Sequence, residues 1–207
     1  ISYLLGDDDK TVLLSHQKLH YTQMNYLYNM ADAVILISAA EGWGLSLTES
    51  LLTGTPFIAN VTGGMQDQMR FVDDKGEWYT NSKEMPSNHY GTFTEHGEWA
   101  LPVYPKALGM VGSMVTPYIW DSRCDYRDAY ENIKTLHSMS DKKRKKIGDS
   151  GRKWATGNEA GFTSIKMANT FADGMEELFT TWKPRKNFVF LQDDDFKPRQ
   201  LQHKLIY

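Results

Sequence analysis

The chain has 207 residues, with 23 Lys and Arg against 26 Asp and Glu for a net charge of −3, and is 41% hydrophobic, 24% charged and 13% aromatic. That balance belongs to a globular domain with a real core and excludes disorder, collagen and coiled coil, while nothing global points to nucleic acid. Cys124 is the single cysteine, which excludes an internal disulfide scaffold and a Cys-rich metal site, and no apolar run nears the ~20 residues that span a bilayer.

The chain opens on Ile1 rather than Met and enters a strand-like run at Ile1–Leu5, so it reads as a piece of a longer protein without a signal peptide, expected in the cytoplasm. Thr11–Ser15 reads as a short buried strand. His20–Ala31 places Tyr21, Met24, Leu27, Tyr28 and Ala31 at helical spacing. Ala33–Ser38 is continuously apolar and β-branched, as a parallel strand covered on both faces would be. Leu45–Thr53 is helical and stops at Gly54 and Pro56; Phe57–Val61 is the next strand, closed by Gly63-Gly64. The order is β-α-β-α-β, which predicts an α/β fold with a Rossmann-like parallel sheet and helices on both faces.

From about Val72 to Trp120 the pattern dissolves among Pro86, Pro102, Pro105, Pro117 and Trp78, Trp99 and Trp120. This stretch reads as a long irregular insertion around a short strand at Trp99–Val103. Helices return at Tyr126–His137, Asp141–Gly148 and about Phe162–Trp182. Residues 187–207, with Phe188–Leu191 and Asp193–Asp195, read as a tail.

One stretch carries chemistry: Ser38-Ala-Ala-Glu41-Gly42-Trp43-Gly44-Leu45-Ser46-Leu47-Thr48-Glu49, at the end of a strand and the start of a helix. The carboxyl edge of a parallel sheet is where such folds bind ligands. Gly42 and Gly44 allow a sharp turn and a close approach. The N–H groups of Gly44, Leu45 and Ser46 then open the helix, where the dipole favours an anion such as phosphate. Glu49 lies one turn down from Leu45, placed to accept a ribose diol, and Glu41 lies at the mouth, placed to meet a sugar beyond the phosphates.

These residues, with Leu27–Ser38, Glu49–Pro56 and Gly63-Gly64, resemble retaining glycosyltransferase family 4. The resemblance covers roughly Thr11–Arg70 and Tyr126–Leu178, including Asp141–Ala155, and leaves the insertion unmatched. It implies the C-terminal, donor-binding half of a two-domain GT-B enzyme, spanning residues 1–186. It also implies that the N-terminal acceptor domain and the Arg/Lys pair that neutralises the diphosphate are absent from these 207 residues. In that family two glutamates seven residues apart are the hallmark: here Glu41 would contact the transferred sugar as the catalytic residue. Gly42, Trp43, Gly44, Leu45, Ser46 and Glu49 would bind the nucleotide-sugar donor. Trp43 stands where Phe is commoner. The implied reaction is transfer of a sugar from a nucleotide-diphosphate sugar to a glycan or other acceptor with retention, without metal or cofactor. The alternative is a nucleotide-sugar-binding module without turnover.

Other features read blandly. Gly42-x-Gly44 lacks the third glycine and acidic partner of a dinucleotide fingerprint. Asp7–Asp9 and Asp193–Asp195 match an Asp-x-Asp metal pattern but read as solvated loops. His89, Glu95 and His96 match no standard ligand spacing and read as exposed. Lys142–Lys146 reads as a solvated helix, Gly63-Gly64 as a tight turn, and the Asn60-Val-Thr62 glycosylation signal as part of a buried strand.

Overall fold

The computed structural model describes residues 17–80, 83 and 88–183. The expected strands at Ile1–Leu5 and Thr11–Ser15 and the tail 187–207 lie outside the described residues. The chain forms two compact units, 1–163 and 164–207.

Among the described residues of the first unit, α1 (Tyr21–Met30) comes first, its N-terminus closed by a capping box: His20 N–H donates to Gln23 Oε1 at 2.9 Å. Then come β1 (Val34–Leu36), α2 (Leu45–Thr53), β2 (Phe57–Asn60), the short α3 (Met65–Met69) and β3 (Ala100–Val103). The three strands form a parallel sheet in the order β1-β2-β3, with Val34 opposite Phe57 and Phe57 opposite Ala100. Side chains alternate between its faces. Phe57, Ala59 and Ala100 pack with Leu47 and Leu51 of α2 on one side; Ile58, Leu101 and Val103 pack with Ala129, Leu136 and Ile147 on the other. The latter three come from α4 (Tyr126–Ser138) and α5 (Asp141–Thr156). The fold is α/β, with helices on both faces of a parallel sheet.

Four sequence expectations change. β1 is shorter than Ala33–Ser38, and Ile35 is 47% exposed, because among the described residues the strand has β2 as its one neighbour. The described part of the insertion packs into the domain: Tyr79, Phe93 and Trp99 enter the same core as Leu51 and Phe57, and Trp99 stacks on Trp154 at 4.9 Å. Beyond β3 the chain forms an antiparallel hairpin, β4 (Pro105–Ser113) and β5 (Thr116–Cys124). Its apolar residues occur on both faces, and Gly109, Gly112 and Pro117 interrupt them, so no alternating pattern betrays it. Finally, α5 runs on past Gly148 to Thr156. A Cβ on Gly148 would sit 1.9 Å from the Gly54 carbonyl oxygen, and one on Gly151 2.7 Å from the Trp99 ring. Both glycines are contact points between elements, not helix breakers.

The second unit contains α6 (Ser164–Thr181), an amphipathic helix with Phe171, Leu178 and Phe179 among its exposed apolar residues.

Candidate functional site

β1 delivers the chain to a loop that ends at Gly44, the N-cap of α2, in a left-handed conformation with φ +80°. A Cβ there would also lie 3.1 Å from Met65 Cγ and 3.2 Å from Leu36 Cδ2. The left-handed backbone favours glycine, and any side chain would also have to push Met65 and Leu36 back by a few tenths of an ångström.

The loop is clamped from the β2 side. Gly64 N–H donates to the Gly42 carbonyl at 3.2 Å, and Gln68 Nε2 donates to the carbonyls of Trp43 and Gly44, the latter at 3.3 Å. A Cβ on Gly63 would fall 1.9 Å from the Glu41 oxygen, and one on Gly64 2.4 Å from the Gly42 oxygen. Gly63-Gly64 is therefore more than a tight turn. It lets the second loop lie directly on the first.

The Trp43 indole donates to Thr48 Oγ1 at 2.8 Å, and that hydroxyl donates to Gln68 Oε1 at 2.8 Å. Its ring meets Phe162 edge-on at 5.2 Å. The Trp43 side chain thus anchors the loop to α2. Leu45 is exposed, Ser46 half-buried, and the N–H groups of both precede any intrahelical acceptor, whereas Leu47 N–H turns back to the Gly44 carbonyl at 2.9 Å. Glu41 is half-buried at the loop's start.

Glu49 is held from α1: Tyr28 donates its hydroxyl proton to Glu49 Oε2 at 2.6 Å. Burial, and next the bond to Glu49, push the Tyr28 hydroxyl up from its ordinary value, so it stays a donor through neutral pH. Thr55 Oγ1 donates to the Tyr28 carbonyl at 2.8 Å, tying α1 to the end of α2. Between the two helices lies a cavity of about 410 Å³, lined by Leu19, Met24, Tyr28, Glu49 and Leu52 among others. Sequence reading missed Tyr28 and Gln68. Tyr28 lay within an apolar helical stripe, where a hydroxyl carries no separate signal, and Gln68 acts across 25 residues of chain.

The insertion roots beside this loop. Ser122 N–H donates to the Ala39 carbonyl at 2.7 Å, and buried Asn60 donates to the carbonyls of Ser38 and Ser122 at 3.0 and 2.6 Å. The buried Asn60 amide nitrogen is occupied by those bonds. His89 is corrected from exposed to fully buried, among Phe71, Tyr79, Phe93 and Tyr104. Its Nδ1 accepts from Phe93 N–H at 3.3 Å, which assigns the ring proton to Nε2, and burial holds it down to about 4. Among the described residues no three His, Cys, Asp or Glu side chains gather as a metal site, and no helix is long and apolar enough to cross a membrane. Lys142, Lys143, Lys145 and Lys146 are exposed, but Arg144 turns inward, donating to the carbonyls of Leu136 and Met139 and pairing with Asp32 at 3.3 Å.

Residues 5–83, the segment that holds the clamped glycine loop, match the family model described as glycosyl transferases group 1. A stretch of 66 residues is 32% identical to a trehalose synthase of Pyrococcus horikoshii, covering 31% of this chain and 16% of that relative. The match thus spans about a sixth of the relative's length. The chain carries a segment similar to glycosyltransferases, on an α/β sheet of the kind that resemblance implied.

Proposed function

We propose that the Glu41–Glu49 segment binds a nucleoside-diphosphate sugar and that the protein, within a two-domain GT-B enzyme, transfers that sugar with retention. The observation that carries the reading is the Glu49 carboxylate, oriented by Tyr28 and lining a cavity one turn below a glycine-opened helix start. A carboxylate so fixed suits a ribose diol. The N–H groups of Leu45 and Ser46, with the positive end of the α2 dipole, suit the diphosphate. Glu41, at the mouth of the clamped loop, would orient the sugar and support positive charge at the anomeric carbon. Fixed N–H donors stabilise the departing diphosphate without reorganising. Its oxygen, on the face from which it leaves, would take the proton of the incoming acceptor hydroxyl, which gives retention. The base of the insertion, where Ser122 meets Ala39, would form the acceptor side.

Calorimetric titration with UDP, GDP and ADP tests the site. Glu49→Gln should weaken the preferred nucleotide by ~1–3 kcal/mol, the range for losing a charged hydrogen-bond partner, and Tyr28→Phe by ~0.5–1.5 kcal/mol. Affinity indifferent to Glu49→Gln would remove the ribose assignment. Donor consumption that requires an acceptor, with the product's anomeric configuration read by NMR, separates transfer from a module that only binds.

A further inference from the structure

We propose that the β4–β5 hairpin is an interfacial membrane anchor that seats its tip in the headgroup and upper acyl region of a phospholipid bilayer. This inference is independent of what the glycine loop binds. In a chain that is 24% charged, the fourteen residues Ala107–Trp120 hold no Asp, Glu, Lys or Arg. They are also exposed: Met114 by 98%, Val115 by 92% and Trp120 by 65%, with Leu108, Met110, Tyr118 and Ile119 also open. An apolar patch of this extent marks an interaction surface.

The register narrows the occupant. Met110 stands opposite Trp120, and Val111 opposite Ile119. Neighbours along a strand point to opposite faces, so Met110 and Trp120 share one face while Val111 and Ile119 share the other. A partner that docks on one face or edge would leave the other apolar face in water. A bilayer interface surrounds both faces and the tip together. The charges sit where such a seating leaves them wet: Asp121 and Arg123 at the root of β5, and Lys106 paired with Asp128 at 3.0 Å. Trp120 and Tyr118 lie between root and tip, as amphipathic rings do at headgroup level. At the tip, Ser113 and Thr116 satisfy each other's hydroxyls at 2.8 Å.

A two-stranded ribbon leaves a row of backbone groups unpaired on each outer edge, so the hairpin belongs in the hydrated interface rather than across the hydrocarbon. Its nine-residue strands reach ~30 Å, ample to present the tip. The root is fixed, since Ser122 is bonded to both Ala39 and Asn60.

The test is co-sedimentation of the full chain with sucrose-loaded vesicles of phosphatidylcholine, alone or with phosphatidylglycerol, at low and high salt. Binding to phosphatidylcholine that survives high salt is expected. The double variant Met114→Asp, Val115→Asp should lower the partition coefficient by about tenfold or more, with an unchanged circular dichroism melt because both side chains project into solvent. Independently, brominated lipid should quench the wild-type tryptophan fluorescence and lose much of that quenching in Trp120→Phe. Failure to sediment with either vesicle would overturn the proposal. So would binding only to anionic vesicles that salt abolishes, which would put the attraction on Lys142–Lys146. Vesicle binding unaffected by the double variant, or a dimer that the variant dissociates while vesicles are ignored, would overturn it equally.

Discussion

Individual residues divide into those whose role is written beside them and those whose role arrives from far along the chain. Gly44 belongs to the first kind, since a glycine between a β-branched run and a helical run declares a turn. Tyr28 and Gln68 belong to the second. The same holds for two titratable groups, half-buried Asp67 and buried His89. Burial raises the Asp67 carboxyl from 3.8 to about 6, and its Oδ1 has no hydrogen-bond partner among the described residues; burial lowers His89 from 6.5 to about 4. The signs oppose. Folded Asp67 holds its proton more tightly than the unfolded chain does, so its contribution is best below pH 4 and is lost as pH rises through 6. Folded His89 resists protonation, so its contribution is complete above 6.5 and is lost as pH falls toward 4. Asp67→Asn removes only the first. The variant should melt above the wild type at pH 7, and the gap should shrink toward zero by pH 4. Scanning calorimetry across that range checks it; a gap independent of pH would be inconsistent with the carboxyl as its source.

At the scale of elements, local punctuation worked where it served a local purpose. Leu45–Thr53 was legible to the residue because Gly54, at φ +76°, ends the helix it follows. Gly148 carries the same letter and a different meaning: it sits inside α5, where the backbone of Gly54 passes against it. Gly148→Ala should therefore destabilise the first unit at or beyond the upper end of the ~1–3 kcal/mol of ordinary overpacking, because the obstacle is backbone. Gly174, in α6, has nothing within 4 Å of an added Cβ. Gly174→Ala should instead gain up to ~1 kcal/mol of helix stability, visible as increased ellipticity at 222 nm. Denaturant melts of the two variants should move in opposite directions, and a Gly148→Ala protein as stable as wild type would refute the close approach. The hairpin escaped sequence reading for a related reason: a strand pair apolar on both faces lacks the alternation by which half-buried strands announce themselves.

For the whole molecule, the proposed nucleotide site makes a prediction, because a ligand that binds only the folded first unit is linked to its folding. At a nucleoside diphosphate concentration of 100 Kd the folded state gains ~2.7 kcal/mol. For a chain of this size each kcal/mol moves Tm by ~2–4 °C, so the melt should rise by about 5–11 °C, and by less in Glu49→Gln at the same concentration. Differential scanning calorimetry reads both. The sequence by itself determined the α/β class, the order of strands and helices from Tyr21 to Phe57, and the glycine loop with its two glutamates, because hydrophobic period, helix stops and glycine turns are local properties of the chain. Only the tertiary structure decided that Gly63-Gly64 lies on the Glu41–Gly42 backbone, that Tyr28 orients Glu49, that aromatic residues of the insertion join the core, and that β4 and β5 stand out as an apolar hairpin. Each of those depends on which distant segments meet, and pairing between segments leaves no mark on either one alone.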